Sequence, residues 1–122
     1  MGPAVLLYNI SKEKERTIRA LCEKLSVQAV AVPASRHDCT IGQALRGEGI
    51  DCAAKRPFRD EMLVLQLPGI LMDFFLQGLV REGAEVALKA AITPTNVSWT
   101  ADALARELHR ERQEFLRNFA KK

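Results

Sequence analysis

Residues 88–100 constrain the fold of this chain more than any other segment, because they combine the end of a strand, a sharp loop and a helix start within thirteen residues. Residues 86–92 are apolar except for one lysine, which predicts a buried strand. Pro94 restricts the backbone of the following loop, and Thr100 is a residue type that caps helix N-termini. Trp99, the only tryptophan, lies between the loop and the helix. The segment therefore predicts a strand-to-helix turn at one edge of a sheet.

The first half of the chain predicts a strand, a helix and a second strand. Residues 4–10 form an apolar run, and Ser11 is a suitable N-cap for the helix after it. Residues 27–32 predict the second strand, which ends at Pro33. The helix itself is indicated by apolar residues at the spacing i, i+3, i+4, i+7, namely Ile18, Leu21, Cys22 and Leu25.

The second half predicts the same order of elements. A strand over residues 61–67 precedes a helix over residues 70–82, which Gly83 closes, and residues 86–92 form the next strand. An amphipathic C-terminal helix then occupies residues 100–120. Beyond the shared strand–helix–strand pattern, the two halves show no internal sequence repeat.

The connection over residues 34–60 is the part whose fold is least specified. Ile41–Arg46 predicts a short helical turn, and the remainder is an irregular segment of mixed charge. If the connection contains a crossover helix, all four strands can be parallel. If it is a long hairpin loop, the fold is a ferredoxin-like α+β unit. The near-continuous apolar strands favour an α/β fold, a small three-layer sandwich with a four-stranded, mostly parallel sheet and a long C-terminal helix.

Composition sets the broad class of the protein. A chain of 122 residues that is 48% hydrophobic predicts a single domain over residues 1–122. The N-terminus has no basic leader, and its apolar run is too short for a membrane span, so we expect a cytoplasmic protein without membrane contact. Three irregularly spaced cysteines favour reduced thiols over a disulfide framework.

The predicted helix over residues 70–82 is apolar around most of its circumference. Its polar stripe is narrow and consists of Asp73, Gln77 and Arg81. A large exposed apolar face is unusual, so we expect either the C-terminal helix or a second copy of the chain to cover it. The second possibility predicts a homodimer.

Lys89 is the first candidate for chemistry. A desolvated lysine within a strand could act as a base, an amine nucleophile or an anion anchor. The alternative, which we favour, is an edge-strand lysine that reaches water and blocks edge pairing.

The loop that begins at Thr93 is the second candidate. Backbone N–H groups at a helix start, with small hydroxyl or amide side chains, can hold an anion or a polar ligand, whereas the same residues are also ordinary turn formers. In the sandwich, the end of the first strand would lie at the same edge as this loop. The candidate ligand-binding residues are Asn9, Lys89, Thr93, Thr95, Asn96 and Trp99.

The sequence gives little support for a metal site, a nucleotide cofactor or a catalytic group. The group formed by His37, Asp38 and Cys39 with Cys52 lacks a Cys-x-x-Cys pair, so we expect no metal site. The glycine-rich loops of the common nucleotide-binding motifs do not occur, and we expect no cofactor. No catalytic residue emerges from spacing alone, and an enzyme that uses Lys89 is retained as an alternative.

The C-terminal helix carries most of the charge asymmetry. Residues 106–122 hold six basic and three acidic residues, which accounts for the net charge of +3. Arg106, Arg110, Arg117 and Lys121 share one face of the helix, opposite its apolar side chains. Nucleic-acid binding is therefore a second alternative, although acidic residues border the stripe and no aromatic residues interleave with it.

Residues 89–99, followed by Leu104 and the pair Glu107–Leu108, resemble the bacterial family known as domain of unknown function 3783. The opening residues 6–9 also resemble the first strand of that family. The resemblance implies a small cytoplasmic bacterial domain without an assigned activity, and it transfers no catalytic residue. The leading hypothesis is a non-enzymatic ligand-binding or protein-binding regulatory module.

Overall fold

A computed structural model describes residues 2–48 and 58–120 of the chain. Every predicted strand is present, shortened by at most two residues at either end. Ser11 caps α1 as predicted, because its side-chain oxygen accepts a hydrogen bond from the Lys14 backbone N–H. The elements in chain order are β1 (Ala4–Tyr8), α1 (Lys12–Lys24), β2 (Gln28–Ala31), the 3-10 helix η1 (Ala34–Arg36), α2 (Ile41–Arg46), β3 (Met62–Gln66), α3 (Gly69–Arg81), β4 (Leu88–Ala91), the 3-10 helix η2 (Asn96–Ser98) and α4 (Ala101–Ala120).

Within the described residues, the four strands form one mixed sheet in the order β2-β1-β3-β4. The pairs β1–β2 and β3–β4 are parallel, and the central pair β1–β3 is antiparallel. In that central pair Leu6 lies opposite Val64, and Tyr8 at the end of β1 lies opposite Met62 at the start of β3. The sheet is therefore mostly parallel, as predicted, but its two halves run in opposite directions.

Helices cover both faces of the sheet. One buried cluster joins α1 and α3 to alternate strand residues, such as Val5 and Leu63. A second cluster joins α2 and α4 to the strand residues that point the other way, such as Leu6 and Val64. This arrangement confirms the three-layer α/β fold and excludes the ferredoxin-like alternative, in which one face of the sheet is left without helices.

The chain builds the same unit twice. Each unit contains a strand of 5 residues, a helix of 13, a strand of 4 and a 3-10 helix of 3, in that order. The units differ in their last helix, which has 6 residues in α2 and 20 in α4. The strand–helix–strand pattern of the sequence is therefore part of a longer structural repeat.

Corresponding turns in the two units have the same geometry. Ser26 follows α1 with φ +57°, and Gly83 follows α3 with φ +66°. The next residue in each unit then donates its backbone N–H to the helix, from Val27 to the Cys22 carbonyl at 2.8 Å and from Ala84 to the Leu79 carbonyl at 2.9 Å. A serine thus occupies a left-handed position that glycine occupies in the second unit.

The exposed side of α3 remains uncovered by the rest of the described chain. α4 lies on the opposite face of the sheet, so the expectation that the C-terminal helix covers α3 is wrong. Ile70, Phe74 and Val80 are 73%, 54% and 62% exposed.

The cysteines differ from the sequence expectation. Cys22 is free and buried, and burial raises the pKa of its thiol to about 11. Cys39 is disulfide-bonded, so the expectation of reduced thiols is wrong for this residue. Cys52 lies outside the described residues.

Across the ranges 2–48 and 58–120, no helix is long and apolar enough to cross a bilayer.

Candidate functional site

The loop after β4 uses its polar groups for its own turn. The Asn96 side-chain oxygen accepts a hydrogen bond from the Thr93 backbone N–H at 2.9 Å, and its amide donates to the Ala91 carbonyl at 3.0 Å. The Asn96 backbone N–H in turn donates to the Thr93 hydroxyl at 3.0 Å. Asn96 is buried, with 8% of its surface exposed. These contacts match the turn-forming interpretation of the loop.

The other three candidate residues make separate contacts. The Thr95 carbonyl accepts a hydrogen bond from the Ser98 hydroxyl, and the half-buried Trp99 packs against the cluster beneath α4. Lys89 is exposed on β4, an edge strand, and its amine donates to the Val86 carbonyl at 2.7 Å. This is the edge-strand arrangement of lysine that the sequence favours.

Asn9 lies at the other end of the sheet. Because β1 runs antiparallel to β3 and β4, the end of β1 meets the starts of those strands, whereas Thr93 and Asn96 follow the end of β4. The expectation that Asn9 lies at the same edge of the sheet as the loop is therefore wrong.

The cavity near the loop, of about 580 Å³, has mostly apolar walls: Gly2, Pro3, Leu65, Gln66, Leu67, Pro68, Ala91 and Ile92.

The most unusual surface belongs to α4, which continues beyond the body of the fold. Ala101, Leu104 and Ala105 are buried in the core, whereas each residue from His109 to Phe119 is exposed. The apolar stripe continues through this projecting part and carries three large side chains that face solvent. These are Phe115 at 67%, Leu116 at 48% and Phe119 at 69% exposure.

On the outer face of α4, arginines form ion pairs with carboxylates of the same helix. Arg110 is ion-paired with Glu107 and Glu114, and Arg106 with Asp102 at 2.6 Å. The hydrogen bond from Arg110 lowers the pKa of Glu107, and the same bond raises the pKa of Arg110. The basic stripe predicted from the sequence is therefore largely paired with carboxylates.

A groove runs under the inner side of α4, where the helix passes the starts of β3 and β4. It consists of two cavities of about 190 and 270 Å³ that share Asp60 and His109. We call this surface the α4 groove. Its walls are apolar at Phe58, Leu88, Ala87, Ala105 and Leu116, and polar at Asp60, Arg106, His109, Arg112 and Gln113.

The charges of the α4 groove are less balanced than those of the outer face. His109 Nδ1 lies 3.8 Å from Asp60 Oδ2, and this contact is an ion pair only when the imidazole is protonated. Arg112 donates to the Ala87 carbonyl at 3.4 Å, and no carboxylate in the described part of the chain pairs with it. The groove therefore holds one arginine, Arg112, that has no carboxylate partner among the described residues and lies beside apolar side chains.

An aromatic cluster lies behind Phe58. The Phe58 ring stacks on His37 at 4.9 Å and also contacts Tyr8 at 5.9 Å. Both His37 and Tyr8 are fully buried, and burial lowers the pKa of His37 and raises that of Tyr8. The Tyr8 hydroxyl and His37 Nδ1 have no hydrogen-bond partner within the described ranges. His37 is thus a core residue rather than a solvated loop histidine.

Sequence patterns identify only part of this surface. The spacing of Phe115 and Phe119 marks them as apolar-face residues, but it does not show that the core ends before them. Asp60 and His109 are far apart in the chain, and no local motif links them.

Among the residues described, no group of three or more histidine, cysteine or acidic side chains is placed to hold a metal ion.

Residues 62–115 match a family described as Domain of unknown function (DUF3783). No curated protein and no solved structure matches the chain. The match supports the resemblance of residues 89–99, while the resembling residues 6–9 lie outside the matched range. It covers β3, α3, β4, η2 and most of α4. The match to this family therefore falls within the second structural unit and leaves the first unit unmatched.

Proposed function

We propose that the chain is a non-enzymatic protein-binding module, and that its binding surface is the α4 groove together with the exposed stripe of Phe115, Leu116 and Phe119. The observation that carries this proposal is the projection of α4. An apolar stripe that is buried in its first turns continues in solvent for about three more turns. Exposed apolar surface of this kind is typical of protein interaction sites.

The repeat identifies the same part of the molecule. The first four elements of each unit have equal lengths, and only the last helix differs. α2 ends at Arg46, where Gly47 adopts φ +68°, whereas α4 continues for many residues past the corresponding Arg106. The extension is not needed to complete the fold of a unit, because the first unit lacks it.

The chemistry of the groove favours an acidic, amphipathic segment of a partner protein. An apolar floor suits leucine-like or aromatic side chains, and Arg112 lies beside it with no carboxylate partner among the described residues. Arginine is well suited to bind carboxylates because its guanidinium presents several donors in a fixed plane. Helix-in-groove binding of amphipathic segments is a common mode of peptide recognition.

Three other hypotheses have less geometric support. A small polar ligand at the loop would compete with the internal hydrogen bonds of Thr93 and Asn96. An enzyme that uses Lys89 would require a desolvated amine, whereas this side chain is exposed. Nucleic-acid binding would require free outer-face arginines, whereas Arg110 is paired with two glutamates.

The proposal is tested with a labelled helical peptide that carries leucines on one face and glutamates on the other. Fluorescence anisotropy should show saturable binding, and a peptide with lysines in place of the glutamates should bind much less. The double variant Phe115→Ser/Phe119→Ser and the variant Arg112→Gln should each weaken binding by roughly tenfold or more. Arg117→Gln, on the outer face, is the matched control and should leave the affinity unchanged.

Equal affinity for both peptides would contradict the proposal. Unchanged affinity in Phe115→Ser/Phe119→Ser and in Arg112→Gln would contradict it as well. Sedimentation of the chain alone tests the homodimer that the apolar α3 face suggests. A dimer that Phe115→Ser/Phe119→Ser abolishes would identify a second copy as the occupant of this surface, and would count against an acidic partner.

A further inference from the structure

In each layer of the fold, one pair of equivalent residues meets at the seam between the two units. Leu6 and Val64, opposite each other in the sheet, are the third residues of β1 and β3. Thr40 and Thr100, which form an isolated antiparallel bridge, are the residues before α2 and α4, and each hydroxyl caps its helix. A twofold axis relates residues in this manner, so the two units pair about one axis.

The layer of α1 and α3 follows the same rule. Leu21 is the tenth residue of α1, and Gly78 is the tenth residue of α3. A Cβ atom added to Gly78 would lie 2.7 Å from Leu21 Cδ1 and 2.8 Å from Cδ2. Leu21 therefore fills the space left by the missing side chain of its own counterpart, and two leucines would not fit there.

We infer that the second unit is a pairing unit, and that residues 4–46 occupy, within the same chain, the place of a second copy. The pairing face runs through all three layers and is centred on Val64, Gly78 and Thr100 of the second unit. The partner that fits this face is another unit of the same fold with a bulky apolar residue opposite Gly78. The family match, which covers the second unit and not the first, agrees with this division.

The backbone bonds at the bridge support pairing about a common axis. The Ile41 N–H donates to the Trp99 carbonyl at 2.9 Å, and the Ala101 N–H donates to the Cys39 carbonyl at 3.3 Å. Each bond is the counterpart of the other when the units are exchanged. The inference does not depend on the proposed function of the α4 groove, which lies outside the pairing face.

The test exchanges the two counterpart residues in the full chain. Leu21→Gly leaves a cavity and Gly78→Leu creates a clash, so each single variant should unfold at a lower temperature and a lower urea concentration than the parent. If the positions are equivalent, the double variant Leu21→Gly/Gly78→Leu places a leucine in the same space from the other helix. We expect it to recover more than half of the loss seen in the less stable single variant.

A control variant with the same composition, Leu25→Gly/Gly78→Leu, should show no recovery, because Leu25 is not the counterpart of Gly78. A Leu21→Gly/Gly78→Leu variant that is no more stable than the weaker single variant would overturn the inference. A second measurement uses the otherwise unchanged chain with a protease site inserted between residues 48 and 58, under a reductant so that the disulfide of Cys39 cannot hold the two fragments together. After cleavage of the folded protein the two units should sediment together, and their separation would also overturn the inference.

Discussion

The side-chain amide of Asn9 lies 3.0 Å from the backbone carbonyl of Asp60 and also donates to the Phe58 carbonyl at 3.0 Å. Asn9 follows β1 and has φ +58°, a left-handed conformation that asparagine tolerates better than most residues. The contact ties the end of the first strand to the segment that enters the third strand. Since Asp60 lines the α4 groove, Asn9 supports one wall of that groove from behind.

Substitution of Asn9 separates its two roles. Asn9→Gly keeps the left-handed backbone accessible but removes both side-chain hydrogen bonds, so the free energy of unfolding should fall by about 1–2 kcal/mol. Asn9→Ala also introduces backbone strain and should cost about 1 kcal/mol more. Urea unfolding measures both variants. Equal stability of Asn9→Gly and the parent would show that the contacts to Phe58 and Asp60 contribute little.

The left-handed turns after α1 and α3 provide a reciprocal prediction. Ser26→Gly should raise the free energy of unfolding by roughly 0.5–1 kcal/mol, because glycine adopts positive φ without the steric cost borne by serine. Gly83→Ser should lower it by a similar amount for the same reason. Thermal unfolding of the two variants provides the comparison. A change of the same sign in both would contradict the equivalence of the two turns.

The buried ring of His37 predicts a dependence of stability on pH. Burial lowers the pKa of His37 below its ordinary value of 6.5, despite opposing contributions from the Val32 carbonyl and the nearby Asp102. The unfolded chain therefore takes up a proton at this residue more readily than the folded chain. As the pH falls below 6.5, stability should decrease until the pH reaches the lower pKa of the folded state.

His37→Phe removes the titrating group while keeping an aromatic ring in the cluster with Tyr8 and Phe58. The free energy of unfolding of this variant, measured in urea from pH 7.5 to pH 5, should vary less steeply with pH than that of the parent. The carboxylates of the chain titrate in both proteins and cancel in the comparison. Identical pH profiles would show that folding does not lower the pKa of His37.

Apolar residues along α4 should divide into two classes. Leu104 is buried, at 3% exposure, and Leu104→Ala should lower the free energy of unfolding by about 2–4 kcal/mol. Phe115→Ala and Phe119→Ala should each change it by less than about 0.5 kcal/mol, because both rings are exposed. Thermal unfolding of the purified variants measures the difference. A large loss on truncating either phenylalanine would mean that the projecting part of α4 packs against the fold.

Local patterns predicted the elements correctly because the interactions that define them are local. Thr100 caps α4 through a bond to the backbone N–H three residues later, and Gly83 closes α3 with positive φ. The alternation of apolar residues also predicts two packed faces for each strand, which the two core clusters confirm. The family resemblance of residues 89–99 likewise depends only on the order of residues.

The relative placement of these elements required the tertiary structure. No local pattern shows whether β3 enters beside the end or the start of β1, and that choice separates Asn9 from Thr93 while it brings Asn9 to Asp60. An amphipathic helix pattern likewise indicates an apolar face, but only the extent of the sheet beneath α4 decides that Phe115 is exposed. Residue types thus determined the secondary structure, whereas long-range strand pairing, which depends on the path of the whole chain, determined the candidate surface.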